Sequence, residues 1–167
     1  MSDRDRLPDL LAPGLRLVFC GTAASDVSAA RGAYYAGPGN RFWPTLREAG
    51  FTPRVFAPAE FPLLLGFGIG LTDLAKHASG VDSRLRSGDF DPMRLTDAIR
   101  RFAPAALAFT SQRAAAVFLG ATPRFGRQPD LPGLPPVFVL PSTSGNNAHW
   151  PRQRHHWDEA ARALGFA

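Results

Sequence analysis

Three polar stretches hold the side chains of this chain that could do chemistry: Thr22–Gly39, the Thr72-Asp73-Leu74 step, and Ser142–Trp150. Only two acids fall within them, Asp26 and Asp73. A carboxylate at the mouth of an apolar pocket can hold a water by hydrogen bonds and offset a developing cation, an effect typically worth ~3–4 kcal/mol. Asp73 is the expected bearer of that role. Two readings compete with it: Asp73 as a cap for the following turn, and Asp26 as the acid. The first stretch is 18 residues long, rich in Gly, Ala, Ser and Tyr and poor in charge. So long an irregular connection in a compact domain points to function. We read it as the floor of a pocket for a small molecule or a base.

These stretches need elements to hold them. Leu15–Gly21 is too short and too continuously apolar for a surface helix and reads as a buried strand. Asn40 can cap a helix running through Phe42, Trp43, Leu46 and Arg47 to a stop at Gly50. Pro58-Ala59-Glu60 can start a short helix, and the second half of the glycine-interrupted Leu63–Leu74 reads as a short strand entering a loop. Ser79–Asp91 is a polar excursion. Pro92–Phe102 carries a helical stripe of Met93, Leu95, Ala98, Ile99 and Phe102. Ala105–Thr110 reads as a strand, Ser111–Leu119 as a helix, Thr122–Pro136 as a loop, Val137–Leu140 as a strand and Pro151–Leu164 as a helix. Residues 1–14 read as a flexible leader and 15–167 as a single domain. Strands alternating with helices imply an α/β fold whose mostly parallel sheet is covered on both faces. In such a sheet, loops leaving the carboxyl ends of strands open on one edge and can converge.

The totals narrow the class. The 167 residues are 45% hydrophobic and 20% charged, which suits one soluble globular domain. No apolar segment approaches the ~18–20 residues that span a bilayer, and MSDRDRLPDL lacks the apolar centre of a signal peptide, so the expected compartment is the cytoplasm and no membrane is expected as a partner. The lone Cys20 has no disulfide partner and reads as a small buried hydrophobe. The net charge is +5, and Arg113, Arg124, Arg127, Arg152 and Arg154 are accompanied by one acid, Asp130, between residues 113 and 156. A basic half suits a polyanion, or else a solvated surface.

Gly21 ending the first strand, Pro38 with Asn40-Arg41-Phe42-Trp43, and the late Leu140-Pro141 followed by Ser144-Gly145 together resemble the mismatch-specific uracil/thymine DNA glycosylases of the uracil-DNA glycosylase superfamily. Ala49-Gly50-Phe51 and Gly70-Leu71-Thr72 also fit, in the same order from about residue 15 to the last helix. The resemblance implies a three-layer α/β/α sandwich with a short central sheet. It implies a monomer that hydrolyses the N-glycosidic bond of a flipped-out uracil in DNA, with no metal and no cofactor, ahead of downstream abasic-site repair enzymes. Tyr35 stands where the family places its base-stacking aromatic, although Tyr34 and Tyr35 can equally be packing. The base would be held by Gly21, Thr22, Ala23, Ser28, Tyr35 and Asn40, with the Gly21–Ala24 amides as donors to a base carbonyl. Ser142, Ser144, Gly145, Asn146 and Asn147 match the loop that pinches the DNA backbone and fills the gap left by the base. Relatives tend to carry a leucine wedge and an arginine there, where this chain has Asn146 and Ala148.

One departure matters most. The family usually presents an asparagine two residues after the strand-ending glycine to orient the attacking water, and this chain has Ala23, followed by Ala24. Alanine can neither place water nor take a proton, which moves the expected task to Asp73. Lys76 could attack an abasic sugar as a Schiff-base nucleophile, but the preferred expectation is a solvated or phosphate-binding cation. His77 and His149 could meet phosphate or base. His155 and His156, with Arg152 and Arg154, read as a DNA-facing or solvated edge and not as a metal-ligand pattern. Three further readings stay open: a glycosylase for hypoxanthine or xanthine on the same fold, a DNA-damage-binding module without catalysis, and a generic nucleotide-binding α/β protein, the last disfavoured because GTAAS lacks a GxGxxG fingerprint.

Overall fold

The computed structural model describes residues 5–81 and 84–167. Positions 1–4 of the expected leader and 82–83 of the polar excursion lie outside the described residues. Five strands form one sheet in the order β2-β1-β3-β5-β4, with β1 at Leu17–Ala24, β2 at Ile69–Ser79, β3 at Leu107–Phe109, β4 at Gly126–Arg127 and β5 at Val137–Val139. β2, β1, β3 and β5 run parallel, and β4 pairs antiparallel with β5. The helices are α1 (Asp26–Arg31), α2 (Phe42–Ala49), α3 (Pro92–Phe102), α4 (Gln112–Leu119), α5 (Trp150–Gln153) and α6 (His155–Ala163), with a 3₁₀ helix at Pro58–Phe67.

The layers follow from strand alternation. Leu17 and Phe19 point to one face, where Phe42, Trp43 and Leu46 of α2 and Trp157 of α6 cover them; Val18 and Cys20 point to the other, against Leu95 and Ile99 of α3 and Ala114 and Ala115 of α4. β3 and β5 divide likewise, Ala108 and Phe138 to the first face and Leu107, Phe109, Val137 and Val139 to the second. That two-sided burial is why these strands read as unbroken apolar runs. The expected three-layer sandwich with a mostly parallel sheet is therefore present, and Cys20 is a buried hydrophobe in it.

Several boundaries differ from expectation, each for a physical reason. The 22–39 connection is not wholly irregular. Ser25 accepts from the Ser28 amide and starts α1, and Gly32 in the left-handed region ends it. The strand expected to give out near Leu74 continues to Ser79, because its pairing with β1 persists past Asp73. The 122–136 connection contains β4, whose two residues carried no strand pattern of their own. The leader is not loose over its described part. Leu7 and Leu10 are buried, and Leu10 bridges antiparallel to Leu71, so residues 7–10 cover the outer edge of β2.

Candidate active site

The parallel strands deliver their carboxyl ends to one edge, and a cleft of about 470 Å³ opens there. It is walled by Gly21–Ala24 at the end of β1 and Ser25 just after it, Thr110 and Ser111 after β3, Ser142–Ser144 with Asn146 and Asn147 after β5, and Asp73 from β2. The size fits a small ring system. Thr110 and Ser111 were missed in the sequence because helix α4 starts immediately after them. The end-of-strand rule, applied to Ala105–Thr110, is the signal that finds them.

Asp73 lies inside β2 and not in a loop, which corrects its expected setting. It pairs in register with Gly21, so both face the same side of the sheet. Gly21 has no side chain to meet it. A Cβ there would stand 2.6 Å from Asp73 Oδ1, 3.1 Å from Tyr35 Oη and 3.5 Å from Thr110 Oγ1. Asp73 is buried, and among the described residues no hydrogen bond reaches its carboxyl oxygens. Burial pushes the carboxyl up to about 6; Lys76 and Arg94 oppose the rise and Asp9 adds to it. A buried acid without a partner, poised near neutrality and facing a cleft, is a candidate functional group. The capping alternative for Asp73 finds no such bond. Asp26 sits at the surface, where its carboxylate accepts from Ser79 Oγ (3.0 Å) and Arg84 Nη2 (2.9 Å), and it does not line the cleft.

Tyr35 stacks face to face on Phe42, with ring centroids 3.8 Å apart and planes 14° from parallel, and its hydroxyl lies 2.8 Å from Thr110 Oγ1. Its φ of +52° is unusual for a side-chain-bearing residue. Strain of that kind, held by a stack and a hydrogen bond, concentrates at functional sites. Tyr34 is packing: it is buried, donates to Pro8 O at 2.8 Å, and its carbonyl accepts from Trp43 Nε1.

Asn40 Oδ1 accepts from the Phe42 amide (2.9 Å) and from Thr143 Oγ1 (3.0 Å). The backbone N–H can only donate, so the amide's orientation is fixed, and its NH₂ group is left without a partner among the described residues while the side chain lines the cleft. The β1 amides alternate: Leu17 N–H goes to Gly68 O on the β2 side and Val18 N–H to Ala106 O on the β3 side. Thr22 N–H therefore faces the β3 side, beyond the point where β3 ends at Phe109, whereas Gly21 N–H belongs to the β2 ladder. The expected set of four amide donors shrinks accordingly. Ala23 lines the cleft with a methyl group, and Ser28 braces its rim, its Oγ accepting from Ala36 N at 2.9 Å.

In the last loop, Ser142 and Ser144 line the cleft, and Gly145 packs on Gly39, where a Cβ would lie 3.1 Å from the carbonyl oxygen. Arg41 ties the two loops together by donating to Ser144 O (2.7 Å). Asn147 is engaged, donating to Ser142 O and Gln153 Oε1 and accepting from His149 N; Asn146 is exposed at the cleft rim. Lys76 is a correction. Its side chain is 2% exposed, and its Nζ meets Asp9 Oδ1 at 2.9 Å and Tyr34 Oη at 3.2 Å, so it reaches neither solvent nor phosphate. His155, His156 and Glu159 place ligand atoms within 4.8 Å of one another on α6, a grouping the sequence reading did not expect; none of the three lines the cleft.

A stacked tyrosine, fixed donors and a buried acid thus meet in one cleft at the carboxyl edge of a parallel sheet. Residues 8–165 match the uracil DNA glycosylase superfamily, and the chain belongs to that family. The fold is also similar to a solution structure from Methanosarcina acetivorans, provisionally named a uracil DNA glycosylase, at 21% identity and a TM-score of 0.66, over 95% of this chain and 96% of that one. Among the described residues, no helix is long and apolar enough to cross a membrane.

Proposed function

We propose that this protein is a monofunctional DNA glycosylase that flips out uracil, with mismatched uracil among its targets, and hydrolyses its N-glycosidic bond. The observation that carries the reading is the unpartnered, buried Asp73 carboxyl facing a cleft whose other groups suit a flipped base. The base stacks against Tyr35, which Phe42 backs from behind. Asn40, fixed as a donor, and Thr22 N–H meet carbonyl oxygens. A fixed donor rejects the amino group of cytosine and accepts the carbonyl that deamination puts in its place.

As the C1′–N1 bond breaks, the sugar becomes cationic and the base leaves as an anion stabilised by these donors. Ionised Asp73 offsets the sugar charge, holds the attacking water and takes its proton as oxygen bonds to C1′. Lys76, locked to Asp9, is not available for Schiff-base chemistry, which supports simple hydrolysis. The Asn40 donor would serve hypoxanthine equally well, so that base remains the second reading.

The test is alkali cleavage of oligonucleotides carrying uracil or hypoxanthine after incubation with the protein. Uracil strands should break, and Asp73→Ala should lower the rate by ~10²–10³, the usual cost of removing one transition-state charge partner. Undiminished activity in that variant would remove Asp73 from the mechanism. No cleavage by the wild type would favour a binding module.

A further inference from the structure

Behind the cleft floor lies a charged cluster that the proposed reaction does not use. Both carboxylate oxygens of Asp9 are occupied: Oδ1 by Lys76 Nζ (2.9 Å) and Thr72 Oγ1 (2.6 Å), Oδ2 by Arg94 Nη1 (2.9 Å). The other terminal nitrogen of Arg94 donates to Thr72 Oγ1 (3.1 Å) and to the main-chain carbonyl of Asp73 (2.8 Å). The N-terminal segment, β2 and α3 thus meet at one carboxylate, with the second end of the network on the backbone of Asp73 itself. Such an arrangement is expensive. Lys76 is buried while Asp9 and Arg94 stay about a quarter exposed, and a buried cation of this kind is tolerated only when it is paired.

We propose that Asp9 and Arg94 are positioning residues for Asp73, Arg94 by anchoring its main chain and Asp9 by holding Arg94 and Lys76 and setting how much positive charge confronts its carboxylate. The inference rests on the reading of Asp73 as the water-holding group. The titratable groups whose charge bears on Asp73 come from every element around it: Lys76 on its own strand, Asp9 on the N-terminal segment, Arg94 on α3, Tyr34 and Tyr35 on the connection before α2, and Cys20 on β1, whose side chain lies on the opposite face of the sheet. Burial pushes Cys20, Tyr34 and Tyr35 up and keeps them neutral, so the net field is that of two cations and one anion. Neutralising Asp9 leaves both cations uncompensated and favours the ionised form of Asp73. Neutralising Arg94 removes a cation and disfavours it. The two changes act in opposite directions, which a merely structural role would not produce.

The experiment is the pH dependence of single-turnover excision from a single-stranded uracil oligonucleotide, with folding of each variant checked by circular dichroism. The acid limb of the wild type, near pH 6, should move down by about one pH unit in Asp9→Asn and up by about one in Arg94→Gln, as nearby charges do. Arg94→Lys keeps the charge but cannot serve both Thr72 and the carbonyl; its limb should stay and its plateau fall roughly tenfold or more, as a misplaced group does. Limbs that coincide with the wild type, or that shift together, overturn the inference, as does a wild-type plateau in Arg94→Lys. If Asp9→Asn or Arg94→Gln fails to fold, the Arg94→Lys plateau and limb decide. A wild type with no acid limb, or an Asp73→Asn variant at full rate, sinks the Asp73 reading instead.

Discussion

Gly21 and Asp73 are one feature written at two positions. The glycine is needed for space and not for backbone freedom, since a Cβ there would overlap Asp73 Oδ1 at 2.6 Å. Gly21→Ala should push the carboxylate aside and lower excision by about 100-fold, the scale of a 1 Å misplacement. Its stability cost should be smaller in an Asp73→Ala background, with a coupling of ~1 kcal/mol or more; strictly additive costs would show that the two do not meet. Asp73 also carries a stability signature. Its pKa rises from 3.8 when unfolded to about 6 when folded, so between those values the native state binds the extra proton. Stability attributable to Asp73 therefore falls as pH rises through that window and is flat above it. Relative to Asp73→Asn, the wild type should lose about 3 kcal/mol of unfolding free energy between about pH 3 and pH 7, because each tenfold change in proton affinity is worth about 1.4 kcal/mol. Parallel denaturation curves across that range would refute the buried-carboxyl picture.

At the scale of elements, the N-terminal segment and β2 form a unit. Leu7 is buried and lines the cleft, Leu10 bridges Leu71, and the Arg6 amide donates to Lys76 O at 2.8 Å. This segment closes the free edge of β2 and delivers Asp9. Leu7→Ala should cost about 2–4 kcal/mol in chemical denaturation, as for other core leucines. A loosely packed leader would lose under ~0.5 kcal/mol. The connection holding Tyr35 behaves similarly: α1, the Ser28–Ala36 bond and the Phe42 stack convert an apparently irregular stretch into a braced wall.

At the scale of the molecule, the proposed activity assigns the choice of DNA to the cleft rim. The exposed tip of the last loop carries Gly145 and Asn146, with Ala148 beyond, small or polar groups that make a poor wedge between stacked bases. Extruding a base from a duplex costs a few kcal/mol, and a strand already unpaired does not incur it. Rates on single-stranded uracil DNA should therefore equal or exceed those on G·U duplex at matched salt. A strong duplex preference would show that another surface does the wedging. The basic half contributes less free charge than its arginine count suggests, since Arg154 pairs with Glu48 and Arg127 with Asp130.

The α/β class, the placement of most elements and the pocket-forming loops were legible in the sequence because local signals determine them. Apolar runs mark strands buried on both faces, Gly50 ends α2, Asn40 accepts from the first amide of that helix from one residue before the Arg41 cap position, and Pro92 opens α3. Asp73, which the structure places at the cleft, was singled out through the absence of any functional side chain at Ala23. What the sequence could not show depends on contacts between residues far apart in the chain. Lys76 reads as a surface cation until Asp9, 67 positions earlier, is brought to it. Arg94 looks like one exposed arginine on an amphipathic helix until it reaches the Asp73 carbonyl. Gly21 ends a strand on paper and makes room for an acid in space. Register and burial decide such roles, and both arise only when β1, β2, α3 and the N-terminal segment pack together.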